Sequence, residues 1–153
     1  MIETTGVIAS PGAREISFVR FFMVSPERVF DAWTRPARLR KWWGPEDLEL
    51  VTCELDPRPG GSSRLAFRAP DGKLHASHGT YLEVERPIRL SFSEVLDDAP
   101  GETFLTSVTF EEMGAMTRMT VRQTAAITEP LATGQLTGWL ESLTRLSELL
   151  LPG

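Results

Sequence analysis

The chain is expected to fold as an α+β domain: a curved antiparallel sheet of six to seven strands wrapped around one long C-terminal helix. Three observations predict this. Seven segments of strand-forming composition, at 16–24, 48–55, 62–69, 73–86, 88–96, 103–112 and 117–125, are separated by connections that carry proline, glycine or acidic residues. Two short helical segments, each opened by a proline, sit between the first and second of these. Residues 136–150 then place Leu136, Trp139, Leu140, Leu143, Leu146 and Leu150 at helical spacing, with Gln135, Glu141, Ser142, Arg145 and Glu148 on the other face. Runs of strands with the helices set apart belong to the α+β class, and a sheet with one apolar face closes most simply over a helix with one apolar stripe.

Size and charge narrow the function. At 153 residues the chain makes a single domain that buries roughly two-thirds of its unfolded surface. Twenty-one acidic against sixteen basic residues give a net charge of -5, which argues against nucleic-acid binding, since that needs a basic face. The lone Cys53 excludes an intramolecular disulfide and suits a reducing compartment. Residues 1–15 lack a basic start and a long apolar run, and no apolar run elsewhere is long enough to span a bilayer, so a cytoplasmic protein is expected.

The elements follow in order. Residues 1–15 read as a loose arm, and 16–151 as the one domain. The strand Ile16–Val24 is rich in Phe, Val and Ile. Ser25 sits at a helix N-cap with Pro26 at the first helical position, and Val29, Phe30 and Trp33 share one face of that helix. Pro36 opens a second short helix, to Trp42, whose cap position holds Arg35 instead of an acidic or hydroxyl residue. Arg58-Pro59-Gly60-Gly61 and Pro70-Asp71-Gly72 are hairpin turns, 97–102 is a longer acidic loop, and 113–116 is a tight connection. The eleven prolines are expected between elements and never within one. Glu141 and Arg145 are spaced to pair along the last helix.

Ser25-Pro26-Glu27-Arg28-Val29-Phe30-Asp31-Ala32-Trp33, running on to Trp42-Trp43-Gly44-Pro45, concentrates three of the four tryptophans in eleven residues. With Arg58-Pro59-Gly60-Gly61, Asp71-Gly72, Gly79-Thr80-Tyr81-Leu82-Glu83-Val84, Val108-Thr109-Phe110-Glu111 and Gly138-Trp139 in order, the chain resembles the SRPBCC superfamily (START-like, Bet v 1-like helix-grip proteins) over about 16–150. Within it, the resemblance is to the branch similar to the C-terminal domain of the Hsp90 ATPase activator. It implies a helix-grip fold with a cavity between sheet and C-terminal helix, and allows pairing as a homodimer. The eukaryotic activator carries an N-terminal domain for which this chain has no room, which counts against Hsp90 as a partner.

Strand parity sorts candidate cavity residues. On 73–86, Leu82 and Val84 are expected inward, and with them His78 and Thr80. On 88–96, Ile88, Leu90 and Phe92 bring Glu94, while Thr106 comes with Phe104, Val108 and Phe110, and Gln123 with Met119 and Val121. The candidate ligand-binding set is therefore Trp33, Trp42, Trp43, Phe67, His78, Thr80, Phe92, Glu94, Thr106, Gln123, Leu136, Trp139 and Leu143. Each has a plainer use: Glu94 can emerge at its strand end, a bulge at Gly79 would reverse His78, and Thr106 and Gln123 can bond each other. The tryptophans suit core packing, with Trp42 or Trp43 as the alternative closure of a cavity mouth. Gly138 suits close approach of helix and sheet, or access for a ligand. Arg35, Arg38, Arg40 and Lys41 read as a solvated face, or as an attraction for an anionic group.

Most catalytic arrangements are absent. His75 and His78 lie three apart on a strand, facing opposite ways, and with the single cysteine elsewhere they make no zinc site. No phosphate loop, dinucleotide fingerprint or nucleophile elbow is present, and no cofactor or metal is expected. The reading is a binder of a small hydrophobic or lipid-like amphipathic molecule. Two alternatives stand beside it: an interaction module resembling the Hsp90 activator domain, and an enzyme resembling polyketide cyclases that uses His78 with Glu94.

Overall fold

A computed structural model describes residues 6–8, 15–45, 47–126 and 133–151. Its elements are β1 (Gly6–Ile8), β2 (Glu15–Phe22), α1 (Pro26–Thr34), α2 (Pro36–Leu39), β3 (Glu49–Leu55), β4 (Ser62–Arg68), β5 (Leu74–Glu85), β6 (Arg89–Leu96), β7 (Ala99–Met113), β8 (Met116–Ala126) and α3 (Thr133–Leu149). All seven expected strands and three helices are present. Among the described residues the sheet has eight strands because Gly6–Ile8, within the expected loose arm, pairs antiparallel with β2 at the edge. One expected loop is also shorter: β7 begins at Ala99, so 97–98 alone form the turn and Pro100 lies within a strand.

Strand order is β1-β2-β8-β7-β6-β5-β4-β3, antiparallel throughout. From β3 to β8 the chain is a simple meander, each strand pairing with the one before it, as short turns favour. The exception is β2, which pairs with β8, Phe18 standing opposite Val121. The two short helices fill the crossover from β2 to β3. Ser25 supplies the N-cap of α1 through its backbone carbonyl alone, accepting from Arg28 and Val29; its hydroxyl makes no cap bond. Arg35 likewise occupies the cap of α2 without a side-chain bond and turns back to Asp31 at 3.5 Å.

The inner face of the sheet is apolar by alternation. Ile16, Phe18 and Phe22 of β2, Val108 and Phe110 of β7, and Met119 and Val121 of β8 are all buried. Against them lies α3, its Trp139, Leu143 and Leu146, with Leu150 just beyond, entering one continuous core with Val29, Phe30 and Trp33 of α1. The four indoles form one edge-packed group: Trp33–Trp42 ring centres are 4.8 Å apart, Trp42–Trp43 5.3 Å and Trp43–Trp139 5.2 Å. Among the described residues no helix is long and apolar enough to cross a membrane.

A candidate ligand cavity beneath the C-terminal helix

The cavity begins with a glycine. After α2 the chain turns at Gly44, whose φ of 101° is open to glycine and strained for other residues. A side chain there would also meet the Phe67 ring at 2.2 Å. The Gly44 N–H donates to Ser142 Oγ at 3.0 Å, and the same hydroxyl donates back to the Gly44 carbonyl at 3.1 Å. Arg145 Nη2 donates to that carbonyl too. Ser142 and Arg145, expected on the solvent face, thus fasten α3 to the Trp43–Pro45 loop, and Arg145 is engaged there instead of with Glu141.

Between this loop, α3 and strands β4–β6 lies a cavity of about 360 Å³. Its walls are largely apolar or aromatic, with Trp43, Phe67 and Trp139 prominent. The polar positions are few: His75, Ser77, Glu94, Asp98, Gln123 and Ser142. A smaller pocket of about 30 Å³ lies beyond, and Trp43 and Glu94 border both.

Glu94 is the chemically distinctive wall residue. Its Oε2 accepts from Ser77 Oγ at 3.0 Å. Burial pushes the Glu94 carboxyl above the ordinary carboxylate range, against the smaller opposite effect of the Ser77 bond. Gln123, by contrast, is committed to the fold. Its amide nitrogen donates to Thr106 Oγ1 at 3.2 Å, and its oxygen accepts from Trp139 Nε1 at 3.0 Å. Thr106 is 1% exposed and lies beneath the wall, where it supports Gln123. At the cavity's polar end His75 Nδ1 stands 3.5 Å from Asp98 Oδ2. Cys53 is buried, and burial pushes its thiol up, so it offers little thiolate. No group of three or more His, Cys, Asp or Glu able to hold a metal ion occurs among the described residues.

The structure sorts the expected site residues. Trp43, Phe67, Glu94, Gln123 and Trp139 line the cavity, and Phe92 borders the smaller pocket. Trp33 also touches the smaller pocket but is core, donating to Met119 Sδ at 3.3 Å. Trp42 is fully buried with its Nε1 on the Ala32 carbonyl, so Trp43 and not Trp42 stands at the cavity. Leu143 is core as well. The Leu136 side chain and the surroundings of Gly138 lie outside the described residues.

His78 and Thr80 do not face in. Both are exposed on the outer face, His78 with its Nδ1 3.1 Å from Asp97 Oδ1. The inward residues of that half-strand are Ser77, Gly79 and Tyr81. The cause is an irregularity between Tyr81 and Glu83 in the pairing with β6, which reverses parity along β5. Leu82 is correspondingly 50% exposed, and Ile88, in the turn before β6, is 46% exposed. The proposed pairing of His78 with Glu94 for acid–base chemistry falls with this reversal; His75 is the cavity histidine. His75, Ser77 and Asp98 carried no usable signal, because 74–80 has no strict apolar alternation. Gly44 and Pro45 lay within a motif already singled out, whereas Ser142, read as a solvent-face residue, carried no signal of its bond to Gly44.

Comparison with known proteins agrees with this architecture. A protein from Chromobacterium violaceum has 29% identity and a TM-score of 0.84, over 92% of this chain and 99% of that one. A Rhodobacter sphaeroides protein matches at 24% identity and a TM-score of 0.81, over 95% and 97% of the two chains. One from Silicibacter pomeroyi matches at 24% identity and a TM-score of 0.72, over 89% and 96%. The last two likenesses speak to fold alone. No curated protein matches the chain. The family model described as "Activator of Hsp90 ATPase homolog 1-like protein" matches residues 23–151, from the end of β2 to beyond α3, and the chain belongs to that family.

Proposed function

We propose that the protein binds a small hydrophobic or amphipathic molecule in the cavity between its sheet and α3. The observation that carries this is a cavity of about 360 Å³, walled by Trp43, Phe67 and Trp139 and lined by the half-buried Glu94. That volume lies in the range of small-molecule sites, which are commonly apolar with a few placed polar groups. Gln123 already donates to Thr106 and accepts from Trp139, so it is committed to the wall and leaves Glu94 as the distinctive polar group there. The unpaired, buried Cys53 suits a reducing compartment and supports a cytoplasmic location.

Native mass spectrometry of freshly purified protein, compared with its denatured mass, tests the reading. A reproducible extra mass lost on denaturation is expected. A clean apo mass, together with no binding of hydrophobic probes at millimolar concentration, would overturn it.

The family description favours a second reading, a protein-interaction module acting on an Hsp90 through its surface. The exposed basic group Arg35, Arg38, Arg40 and Lys41 supplies a surface suited to an acidic partner. Co-precipitation with a bacterial-type Hsp90 and its ATPase rate separate the two, because a cavity binder leaves that rate unchanged.

A further inference from the structure

The titratable residues lining the cavity, among those described, are His75, Glu94 and Asp98. Among the described residues no lysine or arginine lines it. The described lining group able to carry positive charge, His75, lies 3.5 Å from Asp98 at the polar end. The cavity is therefore acidic in its chemistry although apolar in most of its surface.

Glu94 is placed to be used. Of its two oxygens, Oε2 has one protein donor, Ser77. Oε1 has no protein donor among the described residues, and Glu94 lines the cavity. An ionised carboxylate accepts bonds at both oxygens, and in an apolar enclosure an unmatched charge is costly. The neighbouring polar groups cannot supply the match: the Gln123 amide nitrogen is turned to Thr106, and Ser142 is bonded to Gly44. The matching donor must come from what enters the cavity. The same cavity is lined by Trp43, Trp139 and Phe67, and aromatic rings are the side chains that best accommodate a desolvated cation.

Resting on the cavity-binding reading, we infer that the cavity selects ligands with a protonated amine: the ammonium donates to Glu94, and the apolar body lies against Trp43, Trp139 and Phe67. Among the described residues a ligand carboxylate would meet two carboxylates and no lysine or arginine, so fatty-acid-like ligands are disfavoured. A protonated cation restores the ionised form of Glu94, which burial otherwise opposes, through a charge-assisted bond.

Three probes of one shape test the inference: 4-phenylbutylamine, 4-phenylbutan-1-ol and 4-phenylbutanoate, titrated calorimetrically at pH 7 into wild type and Glu94→Gln. In wild type the amine is expected to bind about tenfold or more tighter than the alcohol, with the carboxylate weakest. In Glu94→Gln the preference for amine over alcohol should disappear while alcohol binding stays within about twofold. Equal binding of amine and alcohol in wild type, a carboxylate that binds tightest, or an amine preference that survives in Glu94→Gln would overturn the selectivity and leave the cavity reading standing. Binding of none of the three would overturn both. The wild-type ranking decides even should the variant fail to fold.

Discussion

Glu94 illustrates how a single side chain ties stability to the site. Burial raises its folded value above the ordinary 4.5, so the folded protein favours the neutral acid. The associated stability is complete below the unfolded value and is lost as pH rises through the folded one. Glu94→Gln, which keeps the shape and cannot ionise, should therefore melt higher than wild type at pH 7. The difference should shrink toward pH 4, and thermal melts across that window check it. A ligand amine occupying the site would stabilise wild type selectively and work against this difference, so the melts belong on ligand-free protein. Gly44 is the second decisive residue. Gly44→Ala forces a side chain onto a backbone at φ 101° and into the Phe67 ring at 2.2 Å. A loss of about 1–3 kcal/mol from the backbone alone is expected, measured by urea unfolding. The Phe67 ring must also shift, which reshapes the cavity wall.

At the scale of elements, α3 is held to the sheet by packing and to the Trp43–Pro45 loop by Ser142. Ser142→Ala leaves the buried Gly44 N–H without its acceptor, while the Gly44 carbonyl keeps Arg145. The expected cost is about 1–3 kcal/mol, and hydrogen exchange at the Gly44 amide should accelerate while that of β7 and β8 changes little. Elements themselves were legible in the sequence because their signals are local: period two on β2, β7 and β8, helical spacing on α3, and Gly60 and Gly72 at turns with positive φ. The same parity placed Thr106, Gln123 and Glu94 correctly. It failed on β5, where Leu82 and Val84 were apolar anchors lying within or beyond the Tyr81–Glu83 irregularity. A bulge shows itself in the pairing of two strands, and a single strand's composition does not contain that information. The polar contacts of Ser142 and Arg145 were illegible for the related reason that their partner is a backbone group distant in sequence.

In the whole molecule the indoles of α1, the loop after α2, and α3 meet in one cluster, so a ligand bound beside Trp43 and Trp139 reports through tryptophan emission. An alcohol probe should change emission in wild type and Trp42→Phe alike, because Trp42 is sealed in the core, and less in Trp43→Phe, where Trp139 is left as the cavity indole among the described residues. The sheet order has its own consequence for how the protein is made. Phe18 finds its partner Val121 only after about a hundred intervening residues exist, whereas every other strand from β4 onward meets a neighbour just synthesised. On the ribosome the meander can zip as it emerges, while Ile16, Phe18 and Phe22 stay without their edge partner until β8 arrives and without their cover until α3 follows. Closing so long a loop is slow, and an apolar strand left waiting is a site for chaperones or for misassociation. The life of the nascent chain is thus governed by its first long strand, the one that must wait for its neighbour.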